Sequence, residues 1–178
     1  MTAPEETPTT DPPRRYGVAT TADLAGLTGR QMLEAISRSE LPAPPIAQTL
    51  TFWIIDVGDG FAAFEGDTGP HLLNPFGAVH GGWALTLIDS ATACAAHSLL
   101  PAGVGSTTIE TKVNFARPIM PDTGRVRAEA RVVARGRKII STEAKLFDGT
   151  SRVLAHGTST VMVLEPAAAS ATRPPTQP

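Results

Sequence analysis

The stretch Asn74-Pro-Phe-Gly-Ala-Val-His80-Gly81-Gly82 opens a run of apolar and small residues that continues from Trp83 to Leu100. A single carboxylate, Asp89, interrupts this run near its middle. The run predicts a helix, and its apolar character on all sides predicts that the helix is buried. A carboxylate in a buried helix is costly unless it is compensated, and no Lys or Arg lies within one turn of it. Asp89 is therefore the first candidate functional residue.

The composition of the whole chain is ordinary for a soluble globular protein. The 178 residues carry a formal net charge of −2, which gives no general attraction to nucleic acid. No segment approaches the roughly 20 apolar residues of a membrane span, and the first residues lack the apolar core of a secretory signal. The single cysteine, Cys94, excludes an intrachain disulfide and fits a reducing compartment. We expect a cytoplasmic protein that binds neither nucleic acid nor membranes.

Proline-rich segments at both ends predict disordered tails over residues 1–20 and 165–178, with one domain over residues 21–164. The domain is expected to begin with a helix that starts at Thr21 or Asp23 and stops before the proline-rich linker 41–45. An antiparallel arrangement of strands with one buried helix across it is an α+β domain. The strand-like segments that predict it lie near residues 48–57, 60–66, 106–115, 124–134, 138–147 and 152–164.

Two adjacent glycines lie where the apolar helix begins. The N–H groups of a first helical turn have no helical partners, and glycine allows a substrate oxygen to approach them closely. Gly81 and Gly82 therefore form a candidate oxyanion hole for an acyl carbonyl, with the amide of Asn74 nearby. The alternatives are that the glycines serve only tight packing against the sheet, and that His80 only bonds the preceding loop.

Asp89 also has a structural interpretation, in which the hydroxyls of Thr86 or Thr92 cap its carboxylate on the same helix face. Hydroxyls alone compensate a buried charge poorly, so a functional role is favoured. Eight residues separate Gly81 from Asp89, which is about 12 Å along a helix. The two groups of one protomer cannot easily act on the same carbonyl. If both are catalytic, the carboxylate comes from a second subunit, which predicts a dimer with two shared sites.

Other common sites can be set aside. The chain has no nucleophile elbow, no phosphate-binding P-loop and no dinucleotide fingerprint, and its four histidines lack metal-ligand spacing. Cys94 and His97 are three residues apart on the predicted helix and formally resemble a nucleophile with its base. A small core thiol beside a satisfied histidine is the favoured interpretation of that pair.

The motif Asn74-Pro-x-Gly-x-x-His80-Gly81-Gly82, followed by an apolar helix with Asp89, resembles the hotdog-fold acyl-CoA thioesterases of the phenylacetate-degradation (PaaI) type. The segment Lys112-Val-Asn-Phe-Ala-Arg117-Pro118 is also similar to that family, and the likeness covers about residues 45 to 164. The resemblance implies a long central helix wrapped by an antiparallel sheet, and protomers that pair their sheets as a homodimer or dimer of dimers. It also implies hydrolysis of acyl-CoA without metal or organic cofactor.

Transferred by position, the resemblance makes Asp89 the nucleophile or general base and the Gly81 N–H the group that polarises the thioester carbonyl. Asn74 and His80 would shape the catalytic loop. A small hydroxyl residue on the strand after the helix would be Thr107 or Thr108.

The phosphates of CoA call for a basic contact at the mouth of the site. The candidates for it are Arg117, Arg135, Arg137 and Lys138. Gly82 and Trp83 are expected to contact the substrate at the helix entry. The acyl pocket would be lined by aromatic side chains such as Phe52, Trp53, Phe64, Phe76 and Trp83.

Two other functions remain open on the same fold: a non-catalytic acyl-CoA sensor, and a hotdog enoyl-CoA hydratase. The retained carboxylate argues against the sensor, because a binding module does not need it. The hydratases resemble one another in an Asp/His pair that occupies other positions on the loop and the helix. In this sequence, His80 directly precedes the two glycines. The segment from Ala22 to Pro45 is an addition to the minimal fold, with no role assigned by the sequence.

Overall fold

A computed structural model describes residues 14–164, which contain six strands and four helices. The strands are β1 (Phe52–Gly58), β2 (Phe61–Asp67), β3 (Gly105–Phe115), β4 (Arg125–Arg135), β5 (Ile139–Phe147) and β6 (Val153–Leu164). The helices are α1 (Thr21–Leu24), α2 (Gly29–Ser37), α3 (Pro45–Thr49) and α4 (Gly81–His97), and a single 3₁₀ turn spans Pro70–Leu72. All strands form one antiparallel sheet in the order β1-β2-β4-β5-β6-β3.

The long helix α4 packs against one face of this sheet and contacts all six strands. Its sheet-facing side is rich in alanine, and Ala84, Ala91 and Ala95 have no exposed surface. Such small side chains let the helix lie close to the strands, and Leu87 and Ile88 fill the remaining space. The expected α+β fold, a long helix wrapped by an antiparallel sheet, is confirmed.

The N-terminal helix predicted as one element is two. Gly26 adopts φ +77°, a left-handed conformation that ends α1 and that most residues avoid. Thr28 then starts α2 with a reciprocal capping box, in which its hydroxyl accepts from the Gln31 N–H and the Gln31 side chain accepts from the Thr28 N–H. Local capping therefore overrides the continuous apolar spacing that suggested one helix.

The first predicted strand also begins too early. Residues 45–49 form α3, with Pro45 at its first position, where proline costs no helical hydrogen bond. Thr51 has φ 50°, which reverses the chain before β1 begins at Phe52. The prediction of strand from residue 48 is wrong because this short helix uses the linker as its entry.

The N-terminal extension packs against the end of α4. The Gly29 N–H donates to the Leu100 carbonyl at 3.0 Å, and a Cβ on Gly29 would lie 2.0 Å from the His97 carbonyl oxygen. Part of the predicted N-terminal tail is described, and its Tyr16 forms a bridge with Ala43. The predictions for residues 1–13 and 165–178 lie outside the described residues.

β3 is an edge strand that pairs only with β6. A bulge between Thr108 and Glu110 interrupts its register. Two large apolar side chains on it, Ile109 and Phe115, are 54% and 56% exposed. Among residues 14–164, no helix is both long enough and apolar enough to cross a membrane.

Candidate functional site

The loop before α4 is held in shape by Asn74. Its side-chain Oδ1 accepts from the N–H groups of Phe76 and Ala78, at 2.9 and 3.3 Å. Its backbone closes the same loop, since the Asn74 N–H donates to the Ala78 carbonyl at 2.8 Å. This arrangement commits the amide oxygen to the loop and leaves the NH₂ group as the part of Asn74 that could meet a ligand. These three hydrogen bonds are how Asn74 shapes the loop before α4.

His80 caps the N-terminus of α4. Its Nδ1 accepts from the Gly82 N–H at 2.9 Å, and its own N–H donates to the Leu72 carbonyl at 2.7 Å. Because Nδ1 is an acceptor, the ring proton of the neutral imidazole is on Nε2. The Gly82 N–H is therefore occupied, whereas the Gly81 N–H has no hydrogen-bond partner in the described part of the chain. Of the two glycines, Gly81 is the one whose N–H is free among residues 14–164.

Asp89 is half-buried instead of enclosed, because α4 presents it beside the edge strand β3. Its Oδ1 accepts from the Thr111 hydroxyl at 2.8 Å. The helix hydroxyls do not cap it: Thr86 donates to the Gly82 carbonyl, and Thr92 donates to the Ile88 and Asp89 carbonyls and contacts the Ser159 hydroxyl. Within the described residues, Oδ2 of Asp89 makes no hydrogen bond. The carboxylate thus has one fixed oxygen and one available oxygen.

An open cleft of about 370 Å³ lies in front of Asp89. The residues of α4 and β3 that line it with Asp89 are Leu85, Thr86, Thr108, Ile109, Glu110 and Thr111. Of the two predicted hydroxyl residues, Thr108 lies in this cleft, and the exposed Thr107 does not. Thr111, which contacts the carboxylate directly, is a site residue that the sequence did not indicate.

The bulge in β3 explains why both Thr108 and Thr111 face the helix. In a regular strand, residues three apart point to opposite faces. The extra residue at Ile109–Glu110 restores the same face, so that Thr108, Thr111 and Val113 are all half-buried. A bulge leaves little trace in a sequence, and strict alternation would have separated these two threonines.

The two principal candidates, Gly81 and Asp89, lie on one uninterrupted helix. At 1.5 Å per residue, they are about 12 Å apart along its axis. A carbonyl cannot be attacked at one of these positions while its oxygen is bound at the other. One protomer therefore carries both candidate groups, but it cannot bring them to the same carbonyl.

Cys94 and His97 do not form a nucleophile–base pair. Burial, with a smaller contribution from the Asp89 charge, raises the pKa of the Cys94 thiol to about 12, so the reactive thiolate is absent at neutral pH. Burial also lowers the pKa of His97, whose Nδ1 contacts the Ser106 hydroxyl at 2.9 Å. Both residues belong to the packing of α4.

The basic candidates are separated by the length of α4. Arg117 follows the end of β3, where the Phe115 ring packs beside Gly81, and its guanidinium donates to the Val153 carbonyl. Arg135, Arg137 and Lys138 form the exposed β4–β5 hairpin. Its two arginines line a cleft beside Leu100, just beyond the other end of the helix. One protomer cannot bring these groups to the same phosphate, since α4 is about 24 Å long.

Three of the predicted pocket aromatics lie in the core. Trp83 is 3% exposed and its indole N–H donates to the Leu50 carbonyl at 2.7 Å. Phe52 and Phe64 are also buried, with ring centroids 6.0 Å apart. Trp83 on α4 and the two phenylalanines on β1 and β2 belong to one core cluster, so they stabilise the fold and do not line the Asp89 cleft.

The other two aromatics lie on the surface of the protomer. Two guanidinium groups lie over the Trp53 ring, those of Arg14 at 4.4 Å and Arg125 at 4.8 Å from its centroid. Phe76, at the tip of the loop before α4, is 94% exposed. None of the five aromatics lines the cleft, and residues 14–164 contain no cluster of three or more side chains suited to a metal ion.

Comparison with known families gives one match. Residues 76–155, which include α4 and the strands around Asp89, match the family model described as the thioesterase superfamily. A protein from Saccharolobus solfataricus, provisionally named an esterase, is 30% identical over 87 residues. Those residues are 49% of this chain and 56% of that protein, so the chain spans little more than half the length of this curated relative.

Solved structures extend the similarity over most of the domain. A conserved protein from Pseudomonas aeruginosa is 31% identical, with a TM-score of 0.63 over 67% of this chain and 93% of that chain. A provisionally identified thioesterase from Ralstonia eutropha JMP134, described as related to phenylacetic acid degradation, is 29% identical. Its TM-score is 0.67, over 73% of this chain and 98% of its own.

Proposed function

Because this chain belongs to the thioesterase superfamily and has the hotdog fold of its PaaI-type relatives, we propose that it hydrolyses acyl-CoA thioesters to a free acid and CoA. One observation carries this proposal. The half-buried Asp89 carboxylate has one oxygen fixed by Thr111 and one oxygen available in an open cleft. The free Gly81 N–H at the start of the same helix also supports the proposal, because it can donate to a carbonyl oxygen.

Two routes are open to a single carboxylate. As general base, Asp89 takes a proton from water while the water oxygen attacks the thioester carbon. As nucleophile, its oxygen attacks the same carbon, and water then hydrolyses the mixed anhydride. In both routes the carbonyl oxygen becomes an oxyanion near Gly81, and its collapse breaks the C–S bond. Thiolate is a good leaving group, so stabilising the oxyanion matters more than a strong general acid. One turnover in ¹⁸O-water would label Asp89 on the nucleophilic route when water attacks the aspartyl carbon of the anhydride, and the general-base route labels only the product acid.

The site would be shared between two protomers. The distance along α4 argues that Asp89 acts with Gly81 of a second copy. The long, open edge of β3 with exposed Ile109 and Phe115 supports pairing of this strand with its equivalent, since unprotected edges favour strand addition. A homodimer, or a dimer of dimers, is the assembly that this proposal requires.

The choice of CoA rests on the basic groups. Arg117 and the Arg135–Lys138 hairpin lie at opposite ends of α4, and a two-fold axis would bring groups from both protomers around one site. Arginine pairs with phosphate through two parallel hydrogen bonds. Aryl- and alkyl-CoA esters are both candidate substrates. A cytoplasmic location, where acyl-CoA is available, belongs to the same proposal.

The decisive experiment follows thiol release from a panel of aryl- and alkyl-CoA esters with a thiol-reactive dye. Asp89→Asn keeps the shape and removes the charge, so we expect a loss of turnover of about 10²–10⁴-fold. Glu110→Gln, on the same cleft, is the matched control for removal of a carboxylate and should retain most activity.

The other outcomes have definite meanings. Tight binding of CoA esters without hydrolysis by the wild type would favour the sensor. Addition of water to an enoyl-CoA without thiol release would favour the hydratase. Unchanged hydrolysis by Asp89→Asn would remove the assignment of this carboxylate.

A further inference from the structure

We propose that Thr111 is a positioning residue that holds the ionised Asp89 carboxylate for reaction, supported by the Ser159 hydroxyl in contact with its own. This inference rests on the proposed function, because it concerns the same carboxylate. It adds a residue that the match to the catalytic motif does not include. It is carried by a row of hydroxyl groups that crosses from α4 to β6 and β3 and ends on Asp89.

The row contains three short oxygen–oxygen contacts. Thr92 Oγ1 lies 2.7 Å from Ser159 Oγ, which lies 3.0 Å from Thr111 Oγ1. Thr111 Oγ1 in turn lies 2.8 Å from Asp89 Oδ1. Thr92 and Ser159 are buried, with 0% and 3% of their surface exposed. Water therefore does not compete for the inner part of the row.

Counting protons gives the contact with Asp89 a direction. An ionised carboxylate supplies no proton, so Thr111 donates to Asp89 and can only accept at its contact with Ser159. Thr92 donates to the Ile88 and Asp89 carbonyls, so its one proton is engaged on α4. Ser159 has one proton, which it can direct to Thr92 or to Thr111. In the second arrangement, Thr111 accepts from Ser159 while its own proton points to Asp89.

The consequence for Asp89 is a fixed rotamer with one oxygen bound. A hydrogen bond to a charged group is stronger than one between neutral groups, so the Thr111 contact limits rotation of the carboxylate. Oδ2 is left toward the cleft, where it can meet water or the thioester carbon. The row ends at Thr92 on the buried side of α4 and leads to no solvent. Its contribution is therefore orientation and not proton transport.

The test compares two substitutions at one position. Thr111→Val keeps the shape and removes the hydroxyl, and Thr111→Ser keeps the hydroxyl and removes the methyl group. We expect Thr111→Val to lower kcat by about 10–100-fold with KM changed less than about threefold, because misplacement of a reacting group costs turnover more than binding. Thr111→Ser should retain kcat within about threefold of wild type. The matched control is Thr142→Val, which removes a buried hydroxyl that donates to the Ser159 carbonyl at 3.2 Å.

Wild-type kcat in Thr111→Val would overturn the inference, and so would an equal loss in Thr111→Ser and Thr111→Val. A loss in Thr142→Val as large as that in Thr111→Val would also overturn it, because it would indicate general disturbance of the sheet. Ser159→Ala, which keeps Thr111 but removes the hydroxyl in contact with it, should give a kcat between those of Thr111→Val and wild type. Failure of the proposed function is distinguishable, since the wild type itself would then release no thiol.

Discussion

At the entry of α4, two adjacent amides have different surroundings. The Gly82 N–H is bound by the His80 ring, and the Gly81 N–H is free within the described residues. A Cβ on Gly81 would lie 3.0 Å from the Phe115 ring, which is closer than ordinary contact. A substrate oxygen would therefore find one donor here, beside an aromatic ring that is itself largely exposed.

The donor can be tested at this single residue with Gly81→Pro, which removes the N–H. Proline suits the first position of a helix, and His80 already has the extended backbone, ψ 131°, that precedes proline. We expect Gly81→Pro to lower kcat by about 10²–10³-fold, the usual cost of one oxyanion donor. Gly81→Ala is the control, because it adds the same Cβ and keeps the N–H. Equal activity of the two variants, with unchanged circular dichroism, would contradict the assignment.

At the residue scale, the sequence identifies candidates where local chemistry is decisive. Asp89 stands out because one charge interrupts an apolar helix, and Gly81 because glycine precedes that helix. Thr111 could not be found in this way, since its contact with Asp89 depends on a bulge and on pairing between distant segments. The same is true of Trp83, whose burial depends on a carbonyl in the loop before β1.

At the scale of elements, the N-terminal extension is attached to the domain by close packing. α2 places its first residue, Gly29, against the last turn of α4 and buries Leu33 and Ala35. It also packs on β1. The extension is therefore part of the core at the C-terminal end of α4, the end opposite Gly81.

Gly29→Ala should separate the extension from the domain. The added Cβ would lie 2.0 Å from the His97 carbonyl oxygen, and a backbone atom cannot rotate away. We expect the Tm to fall by about 3–10 °C, the range that overpacking of about 1–3 kcal/mol gives in a chain of this size. Gly149→Ala, where no atom lies within 4 Å of the added Cβ, is the control and should leave Tm unchanged. A normal Tm in Gly29→Ala would mean that α2 can shift at no cost.

The sheet and α4 could be predicted from the sequence because their apolar spacing is long and regular. β4, for example, alternates over most of its length, and its inward residues Val126, Ala128 and Ala130 are buried as expected. The short helices were harder, because capping at Thr28 and the entry at Pro45 decide their limits over a few residues. Local capping sets these helix ends, and the spacing of apolar residues alone does not reveal them.

At the scale of the whole molecule, one protomer holds the two proposed parts of a site, and these parts cannot meet each other. Gly81 and Asp89 are fixed on one rigid helix, and β3 leaves an edge of the sheet open. An isologous pair formed through that edge would give two identical sites, each with residues from both copies. Activity would then depend on assembly as well as on chemistry.

Mixing two inactive variants tests this arrangement. If Gly81 and Asp89 act across the interface, a heterodimer of Gly81→Pro and Asp89→Asn contains one intact site and one doubly altered site. Co-expression or refolding of an equal mixture should then restore about a quarter of wild-type activity, since half of the dimers are mixed and each has one site. Activity that stays at the level of the separate variants would show that each site is built from one chain.

The alanines that let α4 lie against the sheet also limit how this protein can diversify. Ala84, Ala91 and Ala95 leave no space to enlarge, so substitutions there would disturb the fold before they changed the choice of substrate. The exposed rim residue Leu85 is free of that constraint. We therefore expect variants of this protein with new acyl preferences to differ at the rim of the cleft and to keep the alanine face. Directed evolution would find its first beneficial changes at that rim.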